Sequence, residues 1–221
     1  MGHKGLIAVI AAAGLAVGMP GLASARVIEA EAGKVFQFLD AYLSLPAQDR
    51  SGFQIAYRFV LAGTERAAPL KMTLMRGGEP VGLPITQEGY VQALPTLAEI
   101  KSHARIVIQG PDGAKISEQV DLLSTAPFRT DYAATDFTIG LQQANDGVHK
   151  AAGVFSMLAP RLTRVVFVGA VSGEVIDETG RSTPLPMGKE GPAFDPVAQK
   201  SARSIRLAKA PGRITFAAAK D

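Results

Sequence analysis

Two histidines, His103 and His149, suit acid–base chemistry at neutral pH, because a free imidazole titrates at about pH 6.5. The third, His3, lies in the N-terminal segment described below. A serine nucleophile would need one of these bases, but no serine has the Gly-x-Ser-x-Gly pattern, and Ser172 lies at an expected turn. We expect His103 to be a surface or capping residue and His149 to be exposed on a helix. The sequence therefore predicts no catalytic residue and favours a protein that is not an enzyme.

Glu88 and Glu190 are the carboxylates of most interest, since each stands before a glycine in two similar segments, 83–89 (LPITQEG) and 185–191 (LPMGKEG). Two carboxylates within about 10 Å of each other can serve as acid and base in a hydrolase. The simpler interpretation makes each glutamate a turn residue. The adjacent pair Asp177-Glu178 precedes Thr179-Gly180 and is expected at the tip of a hairpin.

A run of basic residues without an intervening acid lies between Asp195 and Asp221. If Asp195-Pro196 begins a helix, the spacing of three places these bases on one stripe, which could bind an anionic envelope surface such as lipid headgroups. If 204–208 is a strand after a short helical turn, they lie on two faces. We favour the strand. The candidate binding residues in this run are Lys200, Arg203 and Arg206, followed by Lys209 and Arg213.

Composition excludes several classes of site. The 221-residue chain has no cysteine, so it has no disulfide, thiolate nucleophile or iron–sulfur cluster. It also lacks His-x-x-x-His, a calcium loop and a phosphate-binding glycine loop with its lysine, so we expect no metal and no cofactor. The formal net charge is +3, with acids and bases interspersed through most of the chain, and this does not favour nucleic acid as a partner.

The N-terminal segment 1–25 has the pattern of a secretory signal peptide. Lys4 precedes an apolar run over 6–19, and Ala23-Ser24-Ala25 supplies small residues for cleavage after Ala25. The run is shorter than the roughly 20 residues that span a membrane, although an uncleaved anchor is the alternative. We therefore predict a periplasmic or secreted protein beginning at Arg26, with no transmembrane segment after cleavage.

The remaining chain shows helix and strand periods in a recurring order. Apolar residues three and four apart predict a helix over 33–45, ended by Pro46, and alternation predicts a strand over 53–61. A second helix is expected over about 147–158, capped by Asp146, after an amphipathic stretch 137–144 that could also be a loop or an edge strand. Further strands are expected at 70–75, 81–85, 105–108, 115–123, 165–168, 173–177, 204–208 and 213–217.

These patterns predict an α+β protein of two diverged tandem repeats, each a helix followed by an antiparallel β-sheet. The similar segments around Glu88 and Glu190, each followed by a proline, carry the repeat hypothesis. The expected bounds are 26–123 for the first repeat, 124–136 for a linker and 137–221 for the second.

The sequence does not identify the function. Because it offers so few catalytic side chains, it favours an exported, non-catalytic envelope protein that binds a partner protein or assists assembly. The alternative is a periplasmic small-molecule binder or a carboxylate-based hydrolase with its site between the repeats.

Overall fold

A computed structural model describes residues 26–153 and 161–218. The expected signal peptide therefore lies outside the described residues. Within them the protein is mixed α and β with antiparallel strand pairs, as the sequence predicted, but the strands form three sheets where one in each of two repeats was expected. The chain divides into two compact units. The first comprises the described residues up to Ser44 together with Ala56–Val120, and the second comprises Leu45–Ile55 together with the described residues from Asp121 onward.

The elements in this part of the chain are β1 (Arg26–Glu31), α1 (Ala32–Val35), α2 (Leu39–Ser44), β2 (Phe53–Leu61), β3 (Lys71–Arg76), β4 (Glu79–Leu83), α3 (Leu97–Lys101), β5 (Arg105–Gly110) and β6 (Ile116–Ser124). The first unit contains a four-stranded antiparallel sheet in the order β1-β5-β3-β4. Strand β1 comes before the helical segment, so this unit does not begin with its helix. Strand β2 shows the predicted alternation, since Tyr57 and Phe59 are buried and Arg58 between them is not.

The helix predicted over 33–45 is interrupted between α1 and α2. Phe38 adopts the left-handed backbone conformation, with a φ of 67°, so the chain turns there. Phe36 is buried and packs edge-on against Tyr57, with ring centroids 5.0 Å apart. The period of three and four residues selected Phe38 for the core, but the break turns Phe36 inward and leaves Phe38 only partly buried.

The elements of the second unit are a 3₁₀ helix (Ala47–Arg50), β7 (Asp131–Ala133), α4 (Ala134–Ala152), β8 (Leu162–Val168), β9 (Gly173–Asp177), β10 (Ser182–Pro184), β11 (Ala193–Phe194), β12 (Ala202–Leu207) and β13 (Arg213–Ala218). This unit contains a four-stranded sheet in the order β10-β9-β12-β7 and contributes to a five-stranded sheet in the order β11-β8-β13-β6-β2. Strands β2 and β6 have residues in both units.

Helix α4 begins well before the expected start at 147 and includes the amphipathic stretch 137–144. The prediction that Asp146 caps the helix is wrong, because Asp146 lies in the helix interior. The predicted end near 158 falls outside the described residues. Residues 131–136 of the expected linker form β7 and the first turn of α4. All of the expected strands are present, with bounds shifted by a few residues, whereas β1, β7, β10 and β11 were not expected.

Two glycines in the interior of α4 explain why the helix looked interrupted. A Cβ on Gly140 would lie 2.8 Å from the backbone oxygen of Gly52, and one on Gly147 would lie 2.8 Å from the ring of Phe53. Between them, the Gln143 side chain accepts a hydrogen bond from the Gly52 amide at 2.7 Å. The glycines are therefore needed for close packing of the 52–53 segment on α4 and do not mark a helix start.

An aromatic cluster lies in the core of the second unit. Tyr132 from β7, Phe137 from α4 and Phe167 from β8 are all buried. Their ring centroids lie 4.9 to 5.7 Å apart, a spacing typical of favourable aromatic pairs.

No helix in the described residues is long and apolar enough to cross a membrane.

Candidate functional site

Glu88 lies exposed in a tight turn after β4. Its backbone amide donates to the Thr86 hydroxyl at 3.2 Å, and its carbonyl oxygen accepts from Arg58 Nε at 2.9 Å. The next residue, Gly89, has a φ of +92°, and a Cβ there would lie 2.5 Å from the backbone oxygen of Phe59. These hydrogen bonds and the close approach of Gly89 to Phe59 indicate that the turn conformation has a structural role.

Glu190 occupies a similar turn in the second unit. Its carbonyl oxygen accepts a hydrogen bond from the Gly169 amide at 3.0 Å, and its side chain is exposed. A Cβ on Gly191, where φ is +155°, would lie 2.1 Å from the backbone oxygen of Phe167. As with Glu88, the chain needs glycine after the glutamate.

The basic run forms a turn and a strand, so the helical interpretation is wrong. The Asp195 carboxylate accepts hydrogen bonds from the amides of Val197 and Ala198, at 2.9 and 3.0 Å, and this closes a turn that contains Lys200. Burial then alternates along β12, where Ile205 and Leu207 are buried. A continuous basic stripe is therefore absent from the described residues.

Arg206 is engaged by acids on both neighbouring strands. Its Nε lies 3.3 Å from an oxygen of Asp131 on β7, and its Nη1 lies 3.5 Å from an oxygen of Glu174 on β9. Hydrogen bonds from Thr130 and Arg206 hold the pKa of Asp131 below its ordinary value. An anionic ligand would have to compete with these carboxylates. Lys200 and Arg203 are exposed.

His103 follows the C-terminus of α3 in the left-handed conformation, with a φ of 55°. Its amide donates to the Ile100 carbonyl at 3.1 Å, and the next amide, of Ala104, donates to the Glu99 carbonyl at 3.0 Å. This pair of bonds is the Schellman motif, which normally carries glycine at the position of His103. The imidazole is 3.1 Å from a carboxylate oxygen of Glu31. His103 thus has the capping position that the sequence suggested.

The remaining candidates lie on α4, at a hairpin tip and between two strands. His149 is exposed on α4, as expected. The Asp177 carboxylate accepts hydrogen bonds from the amides of Thr179 and Arg181, both at 2.9 Å, at the expected hairpin tip. Hydrogen bonding, first from the Thr179 hydroxyl, holds the pKa of Asp177 below its ordinary value. Ser172 lies between β8 and β9, outside regular structure.

Each unit has an open cleft. In the first unit a cleft of about 470 Å³ lies beside the end of α3 and the β3–β4 turn. Its charged side chains form ion pairs, Arg76 with Glu99 at 2.5 Å and Arg105 with Glu29. In the second unit a cleft of about 410 Å³ lies along α4 and includes the ion pair of Lys150 with Asp49, at 3.3 Å. Several of the charged groups that line the clefts are therefore already paired with one another.

Strand β1 provides the longest open sheet edge in the described residues, and sequence reasoning missed it. It has six residues and pairs with β5 on one side. The edge strands β7, β10 and β11 have three, three and two residues, and β4 contains Pro80. In β2, the Phe59 backbone bonds to Gly89 and Ala68, which cover that edge. The exposed Val27 lies on β1, with 55% of its surface accessible.

The described residues contain no group of three or more histidines or acids that could hold a metal ion. Comparisons of the chain with models of protein families, with curated proteins and with solved structures found no match.

Proposed function

We propose that this protein is an exported, non-catalytic envelope protein that binds a partner protein, as an accessory or assembly factor, by strand addition to β1. The observation that carries the proposal is the six-residue open edge of β1. An edge strand presents unpaired backbone donors and acceptors, and natural proteins usually shorten, cover or break such edges. The other edges in the described residues are short, covered or contain proline, whereas β1 has six residues and is protected only by charged side chains.

The side chains of β1 suggest the chemistry of the partner. Val27 and Glu29 lie on the exposed face of the strand, and Ile28 and Ala30 on the other face are partly buried. A strand added beside β1 gains affinity from main-chain hydrogen bonds and specificity from alternate side chains. We infer an extended partner segment with apolar residues beside Val27 and Ile28, since the Glu29 carboxylate is already paired with Arg105.

Proline substitutions at two neighbouring positions test this proposal. Alternate amides of an antiparallel strand point to opposite neighbours, so one of Val27→Pro and Ile28→Pro removes an outward donor and the other a donor to β5. The chain from Arg26 is used to capture partners from an envelope extract of its host, and the identified partner is then purified for binding measurements. Val171→Pro, at an exposed position outside regular structure, is the control.

We expect the proline that removes the outward amide to weaken binding at least tenfold with unchanged thermal unfolding, and the control to bind normally. Equal binding by all three variants would reject the β1 edge as the site. Self-association that depends on β1, measured by sedimentation, would show that a second copy occupies the edge and would reject a heterologous partner.

Export remains part of the proposal and rests on the sequence of segment 1–25. Expression in a bacterial host should give a periplasmic chain whose measured mass is that of residues 26–221. A cytoplasmic chain that retains residues 1–25 would contradict the export hypothesis.

We also propose that the chain arose by duplication, with repeats near 26–123 and 137–221. The sheet orders support this, because β1-β5-β3-β4 and β7-β12-β9-β10 match strand for strand in chain order. The two turns support it as well, because Gly89 and Gly191 both have positive φ and approach the backbone oxygens of Phe59 and Phe167. On this proposal each repeat begins with a strand before its helix. Gly89→Ala and Gly191→Ala should therefore both destabilise their own unit.

The remaining candidates stay predictions. Weak contact of Lys200, Arg203 and Arg206 with an anionic envelope surface is testable by liposome co-sedimentation with and without anionic lipid. Ligand binding by Glu88 and Glu190 stays a separate prediction. No specific observation in the described residues supports the alternative of a small-molecule binder or a carboxylate-based hydrolase.

A further inference from the structure

Glu118 is a buried carboxylate on β6 in the first unit, with 4% of its surface accessible. Neither carboxylate oxygen has a hydrogen-bond partner of normal geometry. Burial raises the pKa of Glu118 to about 7, and the nearby backbone amide of Gln37 offsets only part of this rise. An unpaired buried charge is costly, so this environment strongly favours the neutral acid.

The titratable groups around Glu118 are acids, and they do not compensate its charge. Tyr57 on β2 is fully buried, and its pKa is raised first by burial and then by the charges of Glu118 and of Asp40 on α2. The Tyr57 hydroxyl donates to the backbone oxygen of Gln37 at 2.5 Å. No lysine, arginine or histidine contributes to the pKa of Glu118 in the described residues.

Gln37 connects this cluster to the break between α1 and α2. It lies between Phe36, which packs on Tyr57, and Phe38, which holds the left-handed conformation. A left-handed phenylalanine is backbone strain that persists only where the surroundings enforce it. The 36–38 break is thus a strained backbone segment, and its Gln37 oxygen is held by Tyr57.

We propose that Glu118 and the 36–38 break form a proton-controlled latch, which is closed while the carboxyl is neutral and opens when the carboxylate ionises and must be hydrated. In the closed state the Gln37 backbone lies beside the carboxyl, and Phe36 packs on the Tyr57 ring. Ionisation makes exclusion of water costly, and the strained break is the part of the cover that yields at least cost.

The expected size follows from linkage. The pKa of Glu118 is about 7 in the closed state and returns to its ordinary value of 4.5 in the open state. The ratio of closed to open molecules therefore falls about 70-fold between pH 5 and pH 8. Amide exchange at residues 36–39, expressed as protection relative to the unstructured chain, should fall by that factor. The amide of Ile106, in the core strand β5, should remain more strongly protected than residues 36–39 at every pH, because the opening at 36–39 is local.

Glu118→Gln keeps the shape of the side chain and removes its titration, so protection at 36–39 should become independent of pH. Glu79→Gln, at an exposed position on β4, is the matched control and should behave as the wild type. Carbon-13 NMR of the wild-type glutamate carboxyls measures the Glu118 titration even if the Gln variant fails to fold.

Titration of Glu118 near 4.5 would overturn the proposal. So would protection at 36–39 equal to that at Ile106, which would indicate that residues 36–39 exchange only by global unfolding, or the same pH dependence in Glu118→Gln. Titration near 7, with 36–39 less protected than Ile106 at each pH, is the expected result.

Discussion

Replacement of Gly140 by alanine tests whether the interior glycines of α4 are required by packing. In an exposed helix interior this change stabilises by about 1 kcal/mol, because glycine loses more backbone entropy on folding. At Gly140 the added Cβ would lie 2.8 Å from the Gly52 backbone oxygen and 3.0 Å from the Phe216 ring. Backbone cannot move aside as a flexible side chain can, and overpacking of a core costs about 1–3 kcal/mol. We therefore expect a net loss of up to about 2 kcal/mol in unfolding free energy.

Gly33 in α1 provides a matched control. A Cβ there would meet only a methyl group of Ile100, at 3.6 Å, which is an ordinary contact. Gly33→Ala should therefore leave the stability unchanged or raise it by up to about 1 kcal/mol. The two variants make the same chemical change in helices, so the sign of their difference isolates the effect of packing.

Urea unfolding followed by far-ultraviolet circular dichroism measures both free energies. Because the chain has two compact units, each variant is compared with the wild-type transition of its own unit, the first for Gly33 and the second for Gly140. The m value must stay unchanged for a midpoint shift to report stability. If Gly140→Ala equals or exceeds the wild type in stability, the close approach of Gly52 to α4 is refuted.

Three further changes have defined expected results. The unfolding free energy should fall by about 3 kcal/mol as pH rises from about 4.5 to 7, and then level off, because folded Glu118 keeps a proton that the unfolded chain has released. Urea titrations at a series of pH values measure this profile, and Glu118→Gln should flatten it. His103→Gly should raise thermal stability by about 1 kcal/mol, since glycine enters the left-handed C-cap freely, and a loss would contradict that geometry. Thr96→Ala should cost about 1 kcal/mol, because Thr96 and Glu99 form a capping box at α3, and an unchanged unfolding midpoint would contradict this.

Strand positions were predictable because they depend on short-range alternation and turn residues. The helices were less predictable, because tertiary packing decided their bounds. Gly147 resembles a helix start in sequence, yet it is retained in the interior to admit Phe53, a contact across a long stretch of chain. Phe38 fits the helical period, yet its left-handed conformation ends that period. Both errors occur where packing overrides local propensity.

The candidate sites differ in how much the sequence could reveal. Glu118 was within reach, because Ile116, Val120 and Leu122 alternate with the residues between them and place Glu118 on the same side of the strand. The open edge of β1 was not, because whether a strand lies at an edge depends on sheet order, which local patterns do not encode. The basic run shows the opposite error, since it attracted attention in sequence but Arg206 is engaged by acids from neighbouring strands.

The outer faces of the two four-stranded sheets explain why we place binding in the first unit. On the second sheet, Arg206 lies between Asp131 and Glu174 and joins three strands by ion pairs. On the first sheet, Val107 lies between Glu29 and Thr73 in the equivalent register, and Glu29 pairs with Arg105 on β5, so the connection across three strands is missing at this position. If the units descend from one ancestor, one sheet has had its face closed by charge across three strands and its edge shortened to three residues, while the other kept a six-residue edge near Val107. On our proposal, a partner that adds a strand would meet a six-residue edge with apolar surface at β1, and at β7 a short edge next to an ion-paired face.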